Sequence, residues 1–181
     1  GRHPLANERD WPAEHYYMEM TSLADSLRAI VGPRRVLARP AELLVYGSDA
    51  LPGYARTPQL AVFPGTRDEV VAVVRELASA NIPFVPRGAG TGLSGGALAD
   101  GVVLLGLNRL RRILSVDTVN QLAVVEPGVV NTSLTRAVAA HGLHYAPDPS
   151  SQAACTIGGN VAENAGGPHC LKYGVTLNHV A

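Results

Sequence analysis

The residues best placed to do chemistry lie in Pro86-Arg87-Gly88-Ala89-Gly90-Thr91-Gly92-Leu93-Ser94-Gly95-Gly96. Five of the last nine are glycine, directly after the apolar run Ile82-Pro83-Phe84-Val85. Ordering glycine costs chain entropy, so this density needs a cause. The usual causes are positive φ angles and close approach of backbone N–H groups to a bulky anion. Pyrophosphate is the commonest such anion. A linker would be Ser-rich and would not follow a hydrophobic strand directly.

Two later clusters share the small-residue character. Pro147-Asp148-Pro149-Ser150-Ser151 has prolines that fix an extended or turn path and hydroxyls free to point at a ligand. In the stretch from Cys155 to Gly167, two Gly-Gly pairs frame a helical turn and an asparagine that reads as buried. Cys155 and Cys170 read as small buried residues and match neither a zinc knuckle nor a disulfide framework. The six histidines show no metal-ligand pairing. His141 and His144 are three apart, but Gly142 sits between them at a helix end. No metal site is expected.

The elements that must position these clusters can be read from periodicity. Residues 1–20 read as an irregular arm carrying Trp11. Ser22-Leu23-Ala24-Asp25 opens a helix with Leu23, Leu27 and Ile30 inward, stopped at Gly32-Pro33. Residues 40–50, beginning Pro40-Ala41-Glu42-Leu43-Leu44-Val45-Tyr46, add a helical turn or two. Gln59–Phe63 is a buried strand, Thr66-Arg67-Asp68-Glu69 a capping box before Val70, Val73, Val74 and Leu77, and Pro83–Pro86 the next strand. That order predicts a right-handed strand-helix-strand crossover, with the glycine loop leaving the carboxyl end of a parallel strand. Val102–Leu107 is a further strand, and 113–117 with 121–126 form a hairpin. Thr132 caps a helix with Leu134, Val138 and Ala139 on one face, ending at His141-Gly142. The fold class is therefore α+β (α/β), with a parallel lobe and a mixed or antiparallel lobe.

Length and composition set outer bounds. The 181 residues, 46% hydrophobic, suffice for one core or two small lobes. Fifteen basic and 15 acidic side chains give no net charge, which argues against a nucleic-acid surface. There is no signal-peptide pattern and no apolar run of membrane-spanning length, so a reducing, cytoplasmic setting is expected. The apolar phrase Val175–Ala181 reads as part of something longer. Gly90-Thr91-Gly92-Leu93-Ser94-Gly95 matches the dinucleotide fingerprint G-x-G-x-x-G, yet Ala97–Gly101 is too short and turn-prone for the helix that motif needs. An NAD enzyme is disfavoured on that ground. A non-catalytic piece that binds no cofactor alone stays open.

Five motifs in order resemble one family: Pro86–Gly96, Pro147–Ser151, Ile157-Gly158-Gly159-Asn160, Asn164-Ala165-Gly166-Gly167 and Lys172-Tyr173-Gly174. They look like the FAD-binding domain of the vanillyl-alcohol oxidase and p-cresol methylhydroxylase group. Within it the chain is most similar to the flavin subunit of bacterial glycolate oxidase, beside D-lactate and D-2-hydroxyglutarate dehydrogenases. The resemblance runs from about Arg39 to the last residue and implies an arm and helix over 1–38 and an FAD-binding domain over 39–181. It implies that Pro86, Arg87, Gly88, Ala89, Gly90, Thr91, Gly92, Leu93 and Ser94 hold the pyrophosphate. Pro149, Ser151, Gly158, Gly159, Asn160, Asn164 and Gly166 would line the flavin and ribityl chain, unless Asn160 and Asn164 are structural caps. The loop 87–96 has no His, Cys or Tyr for a covalent link, so the FAD is expected to be non-covalent. The implied substrate is a small 2-hydroxy acid. The implied partners are other subunits of a glycolate oxidase complex, through which the protein would sit at the inner membrane. Substrate-binding Arg, base and any metal belong, by the same resemblance, to a C-terminal substrate domain.

Overall fold

The computed structural model of the chain describes residues 13–181 apart from Pro52. Its main sheet has four strands: β1 (Val36–Leu37), β2 (Leu60–Val62), β3 (Phe84–Arg87) and β4 (Val103–Gly106), ordered β1-β2-β4-β3. β1 is antiparallel to β2, whereas β2 and β3 both run parallel to β4. The expected strand-helix-strand unit exists as β2, α3 (Arg67–Ser79) and β3, but its strands are not neighbours. β4 lies between them because Val103-Leu104-Leu105-Gly106 is buried throughout and needs a partner on each side. β3 is half-exposed, and Pro86 has no N–H to offer a further strand, so it takes the edge.

The α3 ends are set by side chains that the sequence announces. Thr66 Oγ1 accepts from the Glu69 N–H at 3.1 Å. The Glu69 carboxylate reaches one residue past Thr66, to the Gly65 N–H at 2.6 Å, and pairs with Arg35 at 2.9 Å. At the other end Asn81 adopts φ 51, its N–H meeting Ala78 O and the Ile82 N–H meeting Leu77 O. That is a Schellman closure with Asn in the left-handed position.

Helix α1 (Ala13–Val31) packs its Leu23, Leu27 and Val31 on Val62, Val73, Leu77, Val103 and Leu105. It starts nine residues before the expected Ser22, since the apolar stripe continues back to Met20 and leaves Ser22 exposed within the helix. The expectation for Trp11 lies outside the described residues. The opposite sheet face, with Ala61 and Leu104, is covered by Leu43 of α2 (Pro40–Leu43) and by Ala99.

The second lobe is the antiparallel hairpin β5 (Ile113–Asp117) and β6 (Leu122–Val125), closed at its open end by Arg112 on the buried Glu126 carboxylate at 2.8 Å. α4 (Asn131–Val138) buries Leu134 and Val138 against Val116, Ala123 and Val125. Thr132 is not its cap, because Asn131 and Thr132 already give their N–H groups to Cys155 O and Gln152 O. Ala139 is exposed, in the short 3-10 turn that ends at Gly142.

Leu104→Ala, at a fully buried site between two parallel neighbours, should lower stability by about 2–5 kcal/mol in urea unfolding. Val71→Ala on the exposed face of α3 should stay within about 0.5 kcal/mol.

Candidate cofactor site

The glycine loop leaves the carboxyl end of β3, and Arg87 O accepts from the Leu107 N–H at 2.9 Å where β4 ends. The Arg87 side chain turns inward and is 9% exposed. It donates to Ser48 O at 2.7 Å, Ala97 O at 3.2 Å and Tyr46 O at 3.3 Å. One guanidinium thus ties the start of the loop to its end and to the 46–48 turn. Burial lowers its pKa, opposed by Asp49 and Tyr46, and an arginine keeps its charge under such a shift. Gly90, at φ 70, folds directly over it, and a β-carbon there would collide with the guanidinium.

Among the described residues, none of the backbone N–H groups from Gly88 to Ala97 donates to a protein acceptor. Thr91 and Gly92 are half-buried; Ala89, Leu93 and Ser94 are exposed. Unpaired amides along an open loop, with a buried cation beneath, form a donor set that fits a diphosphate. Residues 97–101 turn into β4 without a helix, which leaves the dinucleotide fingerprint's requirement unmet.

The 155–167 cluster meets this loop through α5 (Ile157–Ala162). Its N-cap, Thr156, lies so close to the loop that a β-carbon on Gly88 would collide with Thr156 Oγ1. The amides opening α5 are all used: Ile157 to Val129 O and Gly158 to Pro127 O at 2.8 Å, Gly159 to Thr156 Oγ1 at 3.3 Å. Gly158 is therefore a packing position, with Pro127 against it. Asn160 is 1% exposed, and its Nδ2 has no hydrogen-bond partner among the described residues. Pro149 and Ser151 are half-buried; Pro149 O takes the Gln152 N–H, and Ser151 O the Ala154 and Cys155 N–H groups. Cys155 is buried, which pushes its thiol pKa up against smaller opposing effects of Ser151 and Asn160.

Two expected site residues have structural work to do. Asn164, exposed and at φ 48, accepts the Leu177 N–H on Oδ1 at 2.9 Å. Gly166 packs on Cys170 and Val175. Asp148 holds the His169 ring at 2.5 Å just before α6 (Cys170–Tyr173), and that bond lowers the carboxyl pKa. Sequence reading missed Thr156 and Asn131, whose Nδ2 donates to Pro147 O at 2.9 Å. Thr156 was legible as a cap two residues before Gly158; the reach of Asn131 across to Pro147 was not.

Arg87→Ala leaves three carbonyls without their donor and should cost about 3 kcal/mol in urea unfolding, with loss of inorganic pyrophosphate binding by calorimetry. Gly88→Ala should cost about 1–3 kcal/mol by overpacking, and Thr156→Ala should add little in that background, a coupling read from a double-mutant cycle. The raised Cys155 pKa keeps thiolate scarce, so iodoacetamide should label it at pH 8 only after unfolding, as peptide mass mapping would show.

A family model described as an FAD binding domain matches residues 58–181. The chain is 47% identical over 164 residues to glycolate oxidase subunit GlcD of Escherichia coli (strain K12), covering 90% of this chain and 33% of that one. It is 37% identical over 161 residues to D-2-hydroxyglutarate dehydrogenase of Stutzerimonas stutzeri (strain A1501), covering 88% and 35%. A solved structure of p-cresol methylhydroxylase with substrate bound shares the fold with a TM-score of 0.71 at 25% identity, over 82% of this chain and 30% of that one. The chain spans about a third of the length of the curated relatives it matches. With its open glycine loop at the carboxyl end of a parallel strand and Thr156 of the later 155–167 cluster against Gly88, the chain belongs to the FAD-binding domain family.

Proposed function

We propose that this chain is the FAD-holding part of an oxidoreductase that converts a 2-hydroxy acid of the glycolate or D-lactate type to the 2-oxo acid. A D-2-hydroxyglutarate dehydrogenase is the alternative within the same group. The observation that carries the reading is the row of unpaired amides from Gly88 to Ala97 above the buried Arg87. FAD, when bound, takes up the hydride equivalent from the substrate's α-carbon. The amides of Gly88 to Ser94 would hold its diphosphate, with Arg87 fixing the loop and adding positive potential below. Pro149, Ser151, Gly158, Gly159, Asn160, Asn164 and Gly166 would flank the flavin half. We assign neither the base for the hydroxyl proton nor the cation for the substrate carboxylate to a residue of this chain.

The flavin is held without a covalent bond in this reading. The loop 87–96 offers no His, Cys or Tyr, and the Cys155 thiol is buried and kept protonated. No described helix is long and apolar enough to cross a membrane. A place in the cytoplasm, held at the inner membrane by further subunits of a glycolate oxidase type of complex, accords with the similarity to the GlcD subunit.

Acid precipitation of the purified intact protein should leave yellow flavin in the supernatant. Adding glycolate, D-lactate or D-2-hydroxyglutarate without oxygen should bleach the bound flavin with one of the three. Bound flavin that none of them bleaches would sink the substrate reading; a protein that takes up no FAD would sink the cofactor assignment to this loop.

A further inference from the structure

Glu163 ends α5, is exposed, and has no hydrogen-bond or ion-pair partner for its carboxylate among the described residues. It faces the glycine loop. A β-carbon at Gly96 would stand 2.9 Å from Glu163 Oε1, and one at Gly92 would stand 4.0 Å from its Cδ. The position is unfavourable twice over. Negative charge is disfavoured at the carboxyl end of a helix, and here it also adjoins amides suited to an anion that it would repel. A local rule broken without an evident structural gain points to function.

A carboxylate only accepts hydrogen bonds, and it needs donors to offset that repulsion. FAD carries such donors on both sides of its diphosphate, as the hydroxyls of the ribityl chain and of the ribose. The geometry points to Glu163 as the acceptor that reads these sugar hydroxyls, so that the loop amides select phosphate and Glu163 selects the polyol next to it. This rests on the FAD reading of the loop.

The test uses the intact protein stripped of flavin, as wild type, Glu163→Ala and Glu163→Gln. FAD and FMN are titrated by flavin fluorescence, ADP and inorganic pyrophosphate by calorimetry. Glu163→Ala should weaken FAD about tenfold or more, as expected for hydrogen bonds to a charged group. The same loss should appear with FMN if the ribityl hydroxyls are read, or with ADP if the ribose is. Inorganic pyrophosphate, which has no hydroxyls to offer, should bind as well or about threefold tighter once the charge is gone. Glu163→Gln should lose less than Glu163→Ala, because its amide oxygen still accepts. FAD binding that is unchanged, or that shifts by the same factor as pyrophosphate, would overturn the inference while leaving the loop assignment standing. A wild-type protein that binds pyrophosphate but no FAD would overturn both.

Discussion

Everything around the glycine loop depends on one buried cation. The Arg87 guanidinium satisfies the carbonyls of Tyr46, Ser48 and Ala97, and so pins both ends of a segment whose own amides make no bonds to the protein. A buried charge of this kind is tolerable only when it is hydrogen-bonded. The three carbonyls answer that need, and Asp49 nearby favours the charged form. The loop is thus rigid at its base and unsatisfied along its length. That combination suits a site that must be ready for an anion before the anion arrives.

Contrast the two glycine clusters. In α5 the first amides are consumed by Val129, Pro127 and Thr156, so its glycines serve close packing. In the 88–97 loop the amides stay open, so its glycines serve exposure of the backbone. Similar composition gives opposite hydrogen-bond outcomes, because one stretch is pressed between the hairpin lobe and the loop while the other lies along the sheet's carboxyl edge. The Gly88–Thr156 contact is where the two meet.

Much of this was legible from residue order. Thr66 and Asn81 mark the ends of α3 by chemistry that is local to a few residues, and Thr66 acts as read. The hairpin, the buried strands and the crowding of glycine after β3 are likewise local signals. Errors arose where a choice was made between distant partners. Ser22 looked like a cap because Ser and Asp favour caps, yet burial of the Met20–Val31 stripe on the sheet outweighed that weak preference. Thr132 lost its role because Cys155 and Gln152 supply acceptors from twenty or more residues away.

What the amino-acid order determined by itself was therefore the crossover strands and helix, the hairpin, the glycine crowding of residues 86–96 directly after a strand, and the family's motif order. These rest on periodicity, caps and glycine content, which act over a few residues. Only the tertiary structure decided which glycine-rich stretch keeps its amides open and which has them bonded to protein, that β4 separates β2 from β3, and that Glu163 stands against Gly92 and Gly96. The strand order and the Glu163 contact are pairings across 19 residues or more, won by burial and hydrogen-bond satisfaction, which no local pattern encodes. The loop's open amides were foreseeable as a need; the buried Arg87 that keeps them open became visible only once the chain had folded around it.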